Sequence, residues 1–100
     1  MNTNPIYVFA KWQVKPGRID TVKALLAEVA LKSREEKGNL FYNAYQGNAD
    51  ENTVMLAEAY ADQTALDEHR NSAHFQKIVV EQIVPELENR EVILSSQLNF

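Results

Sequence analysis

Residues 54–75, VMLAEAYADQTALDEHRNSAHF, decide how the rest of the chain is read. An apolar run carrying Glu58 leads into a short helix carrying His69 and then into a second helix start carrying His74. A carboxylate inside an apolar strand must be paired, protonated or placed on a cavity, because an uncompensated buried charge costs several kcal/mol by order of magnitude. His69 follows Ala65 and Leu66 at helical spacing, so it shares the apolar side of its helix and is expected to point at the sheet. The spacing therefore predicts Glu58 and His69 in one pocket.

Working outward, residues 53–60 read as a strand preceded by a polar hairpin loop at 47–52 and by another strand at 39–46, NLFYNAYQ. Upstream, the apolar residues of 18–37 recur at three and four, the mark of an amphipathic helix; Gly38 is expected to end it in the left-handed conformation. Residues 6–14, IYVFAKWQV, form a first strand that closes on Lys15-Pro16-Gly17. Downstream, Asp62 can cap a helix running through Arg70, and Ser72 can cap the next, whose inward face is Phe75, Ile78, Val79 and Ile83. Pro85 should kink or end that helix near Val84, and 91–98, EVILSSQL, reads as a fourth strand. The order predicts an α+β, ferredoxin-like split βαβ domain spanning 1–100, with a four-stranded antiparallel sheet and its helices on one face.

The strands are apolar on both sides: Val8, Ala10, Trp12 and Val14 alternate with Tyr7 and Phe9, and Leu40 and Tyr42 with Phe41 and Tyr45. Helices cover one face only, and a bare second face would expose roughly several hundred Å² of apolar surface. A second copy of the sheet is the economical cover, which predicts a homodimer. A net charge of -4 without a basic cluster argues against nucleic acid or an anionic membrane surface as partner. With no cysteine there is no disulfide, thiolate metal site or cysteine nucleophile. The opening MNTNP has neither a basic flank nor a long apolar run, and a soluble cytoplasmic protein is expected.

These residues resemble the antibiotic biosynthesis monooxygenase (ABM) domain. The resemblance lies in EEKGNLFYNAYQ and in 54–75, at Gly38, Leu40, Tyr42, Glu58, Ala65, Leu66, His69, Ser72, His74 and Phe75. It implies a dimeric α+β barrel in which two sheets pack face to face and each subunit keeps a pocket between sheet and helices. The resemblance also implies a choice among cofactor-independent oxygenation of phenols and quinols, haem degradation and isomerisation. Haem is disfavoured, since the first strand has no Asn and the sole Trp is Trp12.

The favoured reading is a cofactor-independent monooxygenase that takes a small phenolic or quinol-type compound and molecular oxygen. His69 is the candidate base and Glu58 the carboxylate that orients it; Tyr42, His74, Phe75 and Trp12 are candidates for substrate binding. Each has a plainer role beside this one. In that role His69 and Glu58 form a structural pair, His74 is a neighbour of a helix cap, and the aromatics are part of the core. A metal set of His69, His74 and Glu58 is set aside because the two histidines fall on different helical segments, and three scattered glycines form no phosphate-binding loop; no cofactor is expected. The same acid and base would serve an isomerase or other proton-transfer enzyme on a small carbonyl compound, and a non-enzymatic dimeric domain that binds a small ligand is the third reading.

Overall fold

The computed structural model describes residues 4–100, so the first three residues of the expected 1–100 domain lie outside it. The elements are β1 (Ile6–Val14), α1 (Ile19–Arg34), β2 (Asn39–Gln46), β3 (Thr53–Tyr60), α2 (Gln63–Arg70), α3 (Phe75–Ile83), a 3-10 turn at Val84–Glu86, and β4 (Leu87–Ser95). The sheet order is β2-β3-β1-β4, with every neighbouring pair antiparallel. This is the expected ferredoxin-like α+β plan: β1 and β3 lie at the centre, and the helices pack on one face.

Strand alternation sorts the side chains. Val8, Ala10, Trp12 and Val14 of β1 and Val54, Leu56, Glu58 and Tyr60 of β3 are buried beneath the helices. Ala59 faces the other way yet is buried, with Tyr7 and Phe41 as its cross-strand neighbours. Leu40 departs from its expected pairing with Tyr42: a bulge between Asn39 and Phe41 leaves Leu40 53% exposed, while Tyr42 is 2% exposed.

α1 buries Ile19, Val22, Leu26, Val29 and Ser33 and ends at Arg34, three residues before the expected limit at Lys37. Its end tightens, as the Glu35 and Glu36 N–H groups donate to the Lys32 and Ser33 carbonyls. Gly38 is not the left-handed cap that was expected; the positive φ belongs to Gly17, at 81°. What requires glycine at 38 is space, since a Cβ there would lie 2.3 Å from the Ala65 Cβ. The Gly38 carbonyl accepts the Ala61 N–H at 2.8 Å, which holds the end of α1 against the start of α2.

Asp62 caps α2 as expected, its Oδ1 accepting the Ala65 N–H at 2.8 Å. α3 is wound with π-type bonds, Val84 N–H donating to the Val79 carbonyl. That winding puts Ile78 and Ile83 on one buried side, and Pro85 in the following turn stops it. β4 starts at Leu87, earlier than the expected 91, and ends at Ser95. It is an edge strand exposed on both faces, so no burial pattern marked its beginning. Among the described residues, no helix is long and apolar enough to cross a membrane.

Candidate active site

The last turn of α2 delivers His69 to the interior, 3% exposed, on the face shared with Ala65 and Leu66. Glu58 of β3 is also buried, and its Oε1 lies 3.7 Å from His69 Nε2. The expected pair therefore shares a pocket, but the expected orienting bond is absent. His69 Nδ1 instead lies 2.9 Å from Oε2 of Glu36, in the turn after α1, while Glu58 Oε1 accepts the Tyr60 hydroxyl at 2.6 Å. An ionised carboxylate only accepts, so the hydrogen bond to Glu36 puts the His69 proton on Nδ1 and leaves the Nε2 lone pair free.

Glu36 escaped the sequence reading, although a signal for it existed. The buried stripe of α1, residues 19, 22, 26, 29 and 33, continues at helical spacing to 36. Its side chain thus keeps the inward direction after the helix proper has ended.

The local fold also explains Ser72. Its Oγ donates to the His69 carbonyl at 2.6 Å and accepts the Phe75 N–H at 3.2 Å, fixing the angle between α2 and the helix that follows. This brings the Phe75 ring edge-on to His69 at 5.2 Å between centroids, with Tyr60 at 4.8 Å on a tilted approach. It also carries His74 Nε2 to 2.5 Å from Glu36 Oε2.

A cavity of about 390 Å³ lies between sheet and helices. Trp12, Tyr42, Glu58, His69 and Phe75 all line it, as expected of a pocket; His74 does not, being held on the far side of His69 by Glu36. Arg70 also lines it, together with Gln76 and Arg90, which the sequence did not single out. The remaining wall is apolar, including Val8, Ala10, Leu56, Leu66, Val79 and Val92.

Burial sets the electrostatics. Desolvation raises Glu58 to about 7, partly offset by the Tyr60 hydrogen bond. Desolvation lowers His69, and the Glu36 hydrogen bond opposes that shift. Tyr42 and Tyr60 are both raised, first by burial and then by the nearby Glu58 charge. The result is a neutral imidazole facing an apolar cavity beside a carboxyl group poised near neutrality, an arrangement suited to moving one proton. Glu36, His69 and His74 also bring their ligand atoms within 4.8 Å of one another, so Glu36 takes the place that Glu58 was considered for in a metal set.

Residues 5–81 match the family model described as antibiotic biosynthesis monooxygenase. The chain is 36% identical over 73 residues to Putative monooxygenase Rv0793 of Mycobacterium tuberculosis, an overlap of 73% of this chain and 71% of that one. The solved structure of Rv0793 superposes with a TM-score of 0.88 at 28% identity, covering 96% of this chain and 97% of that one. PA3566 from Pseudomonas aeruginosa gives a TM-score of 0.90 at 25% identity, covering 97% of each chain.

Proposed function

The chain belongs to the antibiotic biosynthesis monooxygenase family, and from that premise we propose that it is a cofactor-independent monooxygenase acting on a small phenolic or quinol-type compound. The observation that carries this reading is the His69 ring: Nδ1–H held by Glu36, Nε2 free, on an apolar cavity of about 390 Å³. Nε2 takes the phenolic proton, and the aromatic wall of Trp12, Tyr42 and Phe75 receives the flat ring. The phenolate passes one electron to oxygen. The resulting radical and superoxide join in a carbon–oxygen bond, and the hydroperoxide breaks at O–O with loss of water. One oxygen atom stays on the ring as a quinone and the other leaves as water, so the substrate gives up the four electrons that oxygen gains. Tyr42 is the donor for a substrate oxygen, Glu36 stabilises the imidazolium, and Glu58 holds or returns a proton beside Nε2. His74 serves as a positioning residue through Glu36.

The apolar outer sheet face supports a homodimer: Phe9 is 46% and its cross-strand neighbour Ile93 60% exposed, with Tyr45 and Met55 beside them. A second copy of the 1–100 domain covers that face in a cytoplasmic assembly. Arg70 and Arg90 on the cavity favour one second reading, an isomerase on an anionic carbonyl compound using the same His69.

Oxygen uptake with a panel of phenols and hydroquinones tests the proposal. Turnover that consumes oxygen and is lost in His69→Ala is expected. Conversion without oxygen consumption would transfer the site to the isomerase reading, and equal turnover per folded molecule in His69→Ala would overturn both.

A further inference from the structure

Glu36 is shared. Its Oε2 lies 2.9 Å from His69 Nδ1 and 2.5 Å from His74 Nε2, so each ring must put a proton on the nitrogen that faces the carboxylate. Two imidazoles and one carboxylate, from three segments distant in sequence, thus aim their ligand atoms at one small volume.

We propose that Glu36, His69 and His74 bind a divalent transition cation, zinc fitting best, and that its binding switches the base off. Two imidazole nitrogens and a carboxylate oxygen are hard-to-borderline ligands suited to zinc, and three protein ligands leave a fourth position for water. The ligand atoms lie within 4.8 Å of one another, against about 3.3 Å between neighbouring ligands of a tetrahedral site with bonds of about 2.05 Å. The set must contract, and it has the means. The Glu36 and His74 side chains reach solvent, at 17% and 13% exposed, whereas His69 is wedged between Tyr60 and Phe75. The Glu36 carboxylate sits at contact distance from both rings, 2.9 Å from His69 Nδ1 and 2.5 Å from His74 Nε2, so an acceptor oxygen already stands between the two nitrogens.

Proton placement makes this site a switch. A neutral imidazole carries one proton, and a cation on Nδ1 leaves only Nε2 to hold it. Nε2 is the atom facing the cavity, so the ring that accepted a substrate proton now presents N–H, directed at Glu58 Oε1 3.7 Å away. Glu58 then acts as the outer carboxylate that steadies a ligating histidine. No proton or electron leaves the protein, since each ring moves its proton from one nitrogen to the other. The binding stands on the geometry alone, while the loss of turnover rests on the monooxygenase reading.

The test titrates the full chain with zinc against a chromogenic chelator and follows the imidazole nitrogens by NMR. One equivalent per chain is expected, with the His69 proton moving from Nδ1 to Nε2, and with affinity at least tenfold weaker in both His74→Ala and Glu36→Gln. Melting curves confirm that each variant is folded, and the second stands in if the first is not. In the parent, oxygen uptake should fall with the same zinc midpoint and return with EDTA. Absence of stoichiometric zinc, equal affinity in parent and folded variants, or an unchanged His69 tautomer would overturn the site. Zinc bound with undiminished turnover would overturn the switch, and a parent inactive on every phenol would count against the monooxygenase reading while the tautomer still decides the site.

Discussion

Glu36 holds His69 through Nδ1 at 2.9 Å, joining the turn after α1 to the last turn of α2. The contact sets the tautomer and turns Nε2 toward the cavity, so a residue far from His69 in sequence determines which nitrogen can act as base. It also divides labour between two acids, one partly exposed and one buried: Glu36 orients the ring, and Glu58 waits on its other side.

Substitutions at His69 and Glu36 should separate basicity from orientation. His69→Ala is expected to lower turnover by about 10² to 10⁴, the range for losing a general base. Glu36→Gln keeps an oxygen for Nδ1–H but loses the charge that stabilises imidazolium, so its turnover should fall between that of His69→Ala and the parent. Oxygen-uptake rates normalised to folded protein check the order, and parent-like rates in Glu36→Gln would remove Glu36 from the mechanism.

Glu58 makes stability depend on pH with a definite sign. Its folded value of about 7 lies above the ordinary 4.5, so the folded state binds the proton more tightly. Stability is therefore greatest below the unfolded value, declines as pH rises from about 4.5 to about 7, and is flat beyond; the full loss is about 3 kcal/mol by linkage. Glu58→Gln removes this slope while keeping an acceptor for the Tyr60 hydroxyl. Urea melts should show the variant gaining on the parent between pH 5 and pH 8, and an equal difference at both would contradict the account. The lowered His69 value produces an opposite slope, stability falling as pH drops below its ordinary 6.5, in both proteins, so the comparison cancels it.

Gly38→Ala should cost about 1 to 3 kcal/mol, the usual penalty for overpacking, because its Cβ would fall 2.3 Å from that of Ala65. Adding Ala65→Gly should recover part of the loss. Thermal unfolding of both variants is the check; a single variant as stable as the parent would show that the close approach is dispensable.

Replacing Phe9 by Glu should convert the proposed dimer to a monomer, since the charge would enter an apolar interface. Light scattering after size exclusion reads the mass directly. A parent that is monomeric at micromolar concentration would remove the proposed assembly.

The amino-acid sequence determined the α+β plan because its elements carry local signals. Period-two strands, the stripe of α1, the Asp62 cap and Pro85 each act over a few residues. Helical and strand spacing likewise put Glu58 and His69 in one pocket, while Tyr42, Trp12 and Phe75, candidates beside a core role, line the same cavity. Where neither face is buried, as in β4, or where a bulge intervenes, as at Leu40, periodicity had nothing to report. The tertiary structure alone decided the partner of His69. Helical spacing tells which way a side chain points, but not which of several inward carboxylates arrives within 3 Å. That depended on the Gly38–Ala65 approach docking the end of α1 against α2, a contact between segments whose separation no local pattern spans.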